Sequence, residues 1–229
     1  VAKKKVFIGL TAYDSKLYVY TMLSIFNNIE TLKAKGWEVA LHVKMGDCYI
    51  EKVRNDIMHA FQKTDCTDLI FVDSDLQFDG DAMLKLLESP AQIIGGAYPY
   101  RSQDLEGFPV KIKTDEQGVP IGNVQLGLLE CDFIPTGLMR VRRDALLKIK
   151  EKFPGDTNDK DEYQFFKTGI QFKEDGDHQW YGEDVYFCKI CQKAGVIVWC
   201  YPKIGFAHIG QLNKFGNFHE WLLTHGKKE

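Results

Sequence analysis

The first hundred residues alternate short apolar runs with segments whose apolar residues recur at helical spacing, and that alternation leaves few folds open. Lys5 to Leu10 is a strand-like run containing Gly9. Ser15 to Lys35 carries Leu17, Tyr20, Leu23, Ile25, Phe26, Ile29 and Leu32 at helical intervals, with Gly36 as its closing residue. Trp37 to Val43 is a second strand, and Tyr49 to Gln62 a second helix with Ile50, Val53, Ile57, Met58 and Phe61 on one face. Asp68 to Val72 is apolar without a break after its first residue, as a strand buried on both faces requires. Asp79 is placed to cap a helix from Gly80 to Glu88, and Gln92 to Ala97 reads as a fourth strand. Repeated strand–helix–strand units imply a mostly parallel sheet with helices on both faces.

The second half is less regular. Phe108 to Thr114 and Gly127 to Ile134 read as strands with a turn at Gln117-Gly118, and Leu138 to Val141 as another. Arg143 to Lys152 and Gly182 to Ala194 are helical, Pro154 to Glu162 is a polar loop, and Val196 to Cys200 is a last core strand before a tail with Phe218, Trp221 and Leu222. The fold class expected is α/β, with an antiparallel portion added to the parallel sheet. One domain is expected over 1–229, with a first half over about 1–100, a second half over about 101–215, and a tail over 216–229.

Composition narrows the partners. The 229 residues carry a net charge of −3, which argues against a nucleic-acid binder or a polybasic membrane binder. Hydrophobic content of 45% supports a sizeable core. No run approaches the ~20 apolar residues of a membrane span, and Val-Ala-Lys-Lys-Lys is followed by no leader-like apolar stretch. Cys48, Cys66, Cys131, Cys188, Cys191 and Cys200 are scattered, mostly in apolar segments, and Cys188-x-x-Cys191 has no second pair to match it. Buried thiols and a reducing, cytoplasmic compartment are expected.

The most informative segment is Leu69-Ile-Phe-Val-Asp73-Ser74-Asp75. Ligands of parallel α/β sheets bind at the carboxyl ends of strands, and two carboxylates there repel each other unless a cation joins them. Asp73 and Asp75 therefore read as a site for a divalent ion and a diphosphate. Glu183 and Asp184 open a helix, where the backbone dipole keeps a carboxylate ionised and able to accept a proton. Arg54 offers a rigid fork of donors for a base or a phosphate.

A strand followed by Asp-x-Asp after a βαβ half resembles the GT-A fold of nucleotide-sugar glycosyltransferases. Val53-Arg54-Asn55-Asp56 is similar to the Arg-Asn helix start of several such families, and Ile94-Gly95-Gly96-Ala97-Tyr98-Pro99 to the strand and turn after the metal motif. Thr136-Gly137-Leu138-Met139 resembles the acceptor-pocket turn, Tyr181-Gly182-Glu183-Asp184 the Glu-Asp motif of inverting members, and His208-Ile209-Gly210 the late histidine of metal-dependent members. The resemblance spans roughly 5–210 and is to small enzymes of phages, large DNA viruses and bacterial glycan clusters, so a viral member would work in the host cytoplasm. It implies that the half over about 1–100 binds the nucleotide and the half over about 101–215 the acceptor, and that Asp75, Asp73 and His208 hold Mn²⁺ or Mg²⁺, Mn²⁺ being the better match to imidazole. It implies that Thr11, Ala12, Tyr13, Arg54, Asp73, Ser74 and Lys214 bind a nucleotide sugar, UDP being favoured, and that Thr136, Gly137 and Trp180 meet a glycan acceptor. Asp184 would be the base of an inverting transfer, with Glu183 bonding the acceptor or serving as the base itself. Retaining chemistry, a non-catalytic sugar-binding module and a haloacid-dehalogenase-type phosphatase remain as alternatives. The phosphatase motif normally has Thr or Val where Gln77 stands and lies on the first strand.

Overall fold

In the computed structural model, the described residues are 4–101, 107–172, 178–210 and 214–225. The first half contains β1 (Lys4–Ala12), α1 (Val19–Ala34), β2 (Trp37–Met45), α2 (Ile50–Gln62), β3 (Asp68–Asp73), β4 (Leu76–Phe78), α3 (Ala82–Glu88) and β5 (Ile93–Gly95). It continues with β6 (Lys111–Ile112), β7 (Gly122–Asn123), β8 (Leu128–Phe133), β9 (Leu138–Arg142), α4 (Arg143–Lys152), β10 (Gly169–Phe172) and β11 (His178–Tyr181). Last come α5 (Glu183–Lys193), β12 (Val198–Cys200), β13 (Gly205–His208), β14 (Lys214–Asn217) and α6 (Phe218–His225).

The main sheet runs β2-β1-β3-β9-β5-β12-β8-β6, with β7 also paired to β8. β1 is parallel to both β2 and β3, and β12 is parallel to β5. β9 runs antiparallel between β3 and β5, and β8 is antiparallel to β12 and β6. This is the expected α/β class, with its mostly parallel sheet and added antiparallel strands. The period-2 alternation of the strands explains the two core layers. Phe7 of β1 with Leu69 and Phe71 of β3 face α2, where Ile57, Met58 and Phe61 pack. Val6, Ile8 and Leu10 of β1 with Ile70 and Val72 of β3 face Ile25 and Leu32 of α1 and Leu86 of α3. Each such side chain, fully buried, contributes about 1.5–3 kcal/mol.

Two local expectations need correction. The helix expected from Ser15 starts at Val19, because Ser15 has a left-handed φ of 61° and the Tyr18 amide donates to the Ser74 carbonyl instead. Asp79 does not cap α3 with its side chain; that carboxylate accepts from the Gly205 amide at 2.9 Å, and Asp81 occupies the cap position. The tail residue Phe218 is buried in the core beneath α2, and Trp221 and Leu222 pack against it. Five cysteines are buried and Cys48 is exposed; burial pushes the Cys188 and Cys191 thiols up. Among the described residues no helix is long and apolar enough to cross a membrane.

Candidate active site

β3 delivers Asp73 to the carboxyl edge of the sheet, in register with Thr11 of β1. The Thr11 hydroxyl donates to Asp73 Oδ1 at 2.9 Å, and Arg54 Nη2 donates to both Asp73 oxygens at 3.3 Å. The other Arg54 amino group donates to Glu183, at the first turn of α5. Arg54 is thus a buried tie between two carboxylates from distant segments. Burial by itself would lower its pKa, but the charges of Asp73 and Glu183 outweigh that and raise it. Burial holds the Glu183 carboxyl above its ordinary value, although the Arg54 charge pulls the other way.

Gly137 packs beneath Asp73. Its carbonyl accepts from the Asp73 amide at 2.9 Å, and its own amide donates to the Tyr98 hydroxyl at 3.1 Å. A Cβ at this position would lie 2.5 Å from that hydroxyl and 2.7 Å from Asp73 Oδ2, which is why glycine stands here. Burial holds the Tyr98 hydroxyl well above its usual pKa, so it is protonated.

Asp75 sits in the turn between β3 and β4. The short strand β4 pairs antiparallel with β13, placing His208 opposite Leu76, and the Ile209 amide donates to the Asp75 carbonyl at 2.8 Å. His208 Nε2 and Asp75 Oδ2 come to 3.5 Å. His208 Nδ1 lies 2.8 Å from the Pro99 carbonyl, and a donor at Nδ1 leaves a lone pair on Nε2 facing the carboxylate. Burial pulls the His208 pKa down, but the bonds to Asp75 and Pro99 prevail and raise it. Arg101 adds a second cation, its Nη1 donating to Asp75 Oδ2 at 3.0 Å.

Asp75 and His208 fit a divalent ion. An imidazole nitrogen and a carboxylate oxygen at this separation match neighbouring ligands of one ion, whose bonds are about 2.0–2.2 Å long, and the Pro99 carbonyl orients the ring. Asp73 is placed differently, since its oxygens are engaged by Thr11 and Arg54. Among the described residues no group of three or more His, Cys, Asp or Glu side chains is gathered as a ready ligand set. Any further ligands would come from substrate or water.

A cavity of about 210 Å³ opens beside these groups, lined by Thr11, Ala12, Tyr13, Arg54, Asp73, Ser74 and Asp75. Seven residues singled out in the sequence therefore share one wall. Tyr13 is exposed, and the Ser74 carbonyl accepts from Thr21 Oγ1 at 3.0 Å, which fixes the turn to α1. Asp47 and Cys48 also line this cavity, and neither stood out in the sequence. The signal that could have found them is Gly46, whose φ of 77° marks the turn that ends β2 just before them.

The acceptor residues are scattered. Thr136 is fully buried and its hydroxyl has no partner, so the side chain is sealed in the core and offers nothing to a ligand. Gly137 serves Asp73 and Tyr98. Trp180 is exposed on β11 and lines a separate cavity of about 260 Å³ with Tyr181 and Lys189. Asp184 stands beside Glu183 in the first turn of α5, and its Oδ1 accepts from the Val185 amide at 2.7 Å. The Lys214 backbone pairs with His208, and its side chain lies outside the described residues. The polar loop from Pro154 to Glu162 is tied down at Asp156, which accepts from Lys167 and, at 3.0 Å, from the Tyr186 hydroxyl.

Asn55 is a residue whose part the sequence did not disclose. Its Oδ1 accepts from the Phe165 and Phe166 amides at 2.9 and 3.0 Å, and its Nδ2 donates to the Phe166 carbonyl at 2.8 Å. It pins the segment leading to Glu183 against α2, so adjacent residues divide the labour: Arg54 serves the site, and Asn55 holds its wall.

No protein-family model and no curated protein matches the chain. Among solved structures it is similar to a galactosyltransferase 7 variant from Drosophila in complex with manganese, UDP-Gal and xylobiose, at 14% identity over 97% of this chain and 75% of that one, with a TM-score of 0.42. It is similar to GalNAc-T7 with UDP, GalNAc and Mn²⁺ at 11% identity and a TM-score of 0.47, covering 91% of this chain but 44% of that one. A glycosyltransferase involved in glycosylation of the major capsid of PBCV-1 matches at 13% identity over 69% of this chain and 71% of that one, with a TM-score of 0.34. All three of these solved structures are of glycosyltransferases.

Proposed function

We propose that this chain is a metal-dependent glycosyltransferase of the GT-A type, moving a sugar from a nucleoside diphosphate to a glycan hydroxyl. The observation that carries the reading is the facing pair of Asp75 and His208 Nε2, 3.5 Å apart beyond the carboxyl end of β3, with Asp75 lining the Thr11–Asp73 cavity. Asp75 and His208 would hold the ion, Mn²⁺ suiting the imidazole better than Mg²⁺. When bound, the ion supplies charge neutralisation for the diphosphate leaving group.

The chain's own residues do the rest. Thr11 and Tyr13 border the cavity where a base and ribose would lie, Tyr13 offering an exposed ring for stacking. Arg54 fixes Asp73 at the floor. Asp184 is the proposed base, because Glu183 is committed to Arg54 and Asp184 stands beside it in the first turn of α5. Asp184 takes the proton of the acceptor hydroxyl. The acceptor oxygen forms a bond to the anomeric carbon, the carbon–oxygen bond to the diphosphate breaks, and the nucleoside diphosphate leaves with the electron pair. Attack opposite the leaving group inverts the configuration. UDP is the proposed nucleotide.

Calorimetric titration of UDP with Mn²⁺ and then with EDTA, on the wild type and Asp75→Ala, tests this reading. Binding that requires both the ion and Asp75 is expected, followed by UDP release from one sugar of a donor panel. Binding of UDP that is indifferent to EDTA and to Asp75 would overturn the metal–diphosphate site. Phosphatase turnover without sugar transfer would favour the alternative hydrolase.

A further inference from the structure

Arg101 stands at the end of a short strap that is tied to the Asp75–His208 pair. The Tyr98 ring meets the His208 ring edge-on, with centroids 5.2 Å apart, and the Pro99 carbonyl lies 2.8 Å from His208 Nδ1. The Tyr100 amide donates to the Gly107 carbonyl at 3.1 Å. The backbone leading to Arg101 is therefore held beside His208. The Arg101 side chain is 59% exposed, so little packing fixes its guanidinium.

That guanidinium holds one particular atom. Arg101 Nη1 donates to Asp75 Oδ2 at 3.0 Å, and Asp75 Oδ2 is also the oxygen that faces His208 Nε2 at 3.5 Å. An ion shared by Asp75 and His208 needs this oxygen. A guanidinium and a divalent ion repel each other at such close range, and one carboxylate charge does not compensate both. Arg101 must then release Asp75.

The charges around the cavity indicate where it turns. Asp73, Asp75, Glu183 and Asp184 bring four negative charges to the site. Arg54 is buried and bound to two of them, so it cannot leave, and Lys52 is paired with Asp47. Arg54 and a divalent ion together leave one carboxylate charge uncompensated, which opposes the entry of a diphosphate. A released Arg101 removes that deficit, and its planar fork of donors matches phosphate oxygens. It already stands against a ligand of the ion, so phosphate oxygens held by the same ion come within its reach.

We propose that Arg101 is a diphosphate-binding residue that exchanges partners, giving up Asp75 Oδ2 to the divalent ion and donating instead to the diphosphate of the nucleotide sugar. The inference rests on the proposed function and adds to it a cation for the leaving group, supplied by the strap after β5. As the carbon–oxygen bond breaks and charge grows on the departing nucleoside diphosphate, Arg101 stabilises it.

Two calorimetric titrations on the whole chain test this, Mn²⁺ alone and then UDP at saturating Mn²⁺, for wild type, Arg101→Gln and Arg101→Lys. Circular dichroism shows that each variant is folded. Arg101→Gln should move the two affinities in opposite directions. Mn²⁺ alone should bind up to about fivefold tighter, because a competitor for Asp75 is gone. UDP should bind at least about tenfold weaker, because a charged donor to its phosphates is gone. Arg101→Lys should lie between wild type and Arg101→Gln in UDP affinity. A merely structural Arg101 would not split the signs. If wild type binds UDP with Mn²⁺ and Arg101→Gln binds it equally well, this inference alone is overturned. Mn²⁺ affinity that is unchanged or weaker in Arg101→Gln overturns the exchange at Asp75. A wild type that shows no Mn²⁺-dependent UDP binding overturns the proposed function, and the role of Arg101 with it.

Discussion

Arg54 of α2 and Glu183 of α5 stand 129 residues apart in the chain and are joined as an ion pair around the buried guanidinium, with Asp73 as the third member. The tie explains how a helix from the first half and a helix from the second half present their carboxylates to the same edge of the sheet. Each carboxylate depends on the guanidinium for its charge compensation.

Removing that cation should therefore be costly. Arg54→Met leaves the part-buried carboxylates of Asp73 and Glu183 without it, and should lose about 1–3 kcal/mol of stability. Urea denaturation measures this. Arg54→Lys should recover only part, because a single ammonium cannot reproduce the forked contact with Asp73 and Glu183.

Glu183 should leave a signature in the pH dependence of stability. Its folded pKa is raised above the ordinary 4.5, so the folded chain holds its proton to higher pH than the unfolded chain does. Its contribution is fully present below 4.5 and is lost as pH rises through the folded pKa. Wild type minus Glu183→Gln stability should consequently fall on going from acid to neutral pH. Urea midpoints of both proteins across that range check the sign, and a difference that grows with pH contradicts it.

Arg101 and a divalent ion should compete for Asp75. Arg101 is more than half exposed, so its pairing is worth at most about 1 kcal/mol. Arg101→Gln should tighten Mn²⁺ binding by up to about fivefold in a metal titration, and His208→Ala should weaken it by more than that.

Gly137→Ala should damage the site from below. The added methyl group would press on Asp73, Tyr98 and Leu76, and overpacking of this kind costs about 1–3 kcal/mol. UDP affinity should drop while the far-ultraviolet circular dichroism stays unchanged. Thermal melting and calorimetry on the same sample separate the two effects.

Arg140 should matter for folding and leave the site alone. This side chain is buried in the middle of β9, and its guanidinium donates to the carbonyls of Leu86, Ser89 and Ala91. It satisfies the end of α3 and the approach to β5, with Asp68 at 3.5 Å. Burial pushes its pKa down to about 10, against the pull of Asp68, and it remains charged at neutral pH. Arg140→Met should cost several kcal/mol, on the order of 3–5, with residual folded protein binding UDP normally.

Much of the fold was legible because buried parallel strands are written as unbroken apolar runs. β1, β2, β3, α2, α4 and β12 follow the apolar pattern within a few residues at either end. The short strands β4, β7, β13 and β14 escaped notice, since two to four residues carry too little periodicity to separate strand from loop. Arg140 escaped as well, because no local pattern tells a buried arginine from an exposed one.

The site divides along the same line. The sequence by itself determined the strand that ends in Asp73, the pair of carboxylates that follows, and the helix that opens on Glu183 and Asp184, because local spacing and helix-start chemistry are properties of contiguous residues. Only the tertiary structure decided which carboxylate meets which cation. The pairing of β4 with β13 brings His208 to Asp75, and the packing of α2 against the segment before α5 turns Arg54 toward Asp73 and Glu183. It also sealed Thr136 in the core and moved Trp180 to another cavity. These contacts join residues far apart in the chain, and such closures are set by the register between strands and by burial, which no stretch of local sequence encodes.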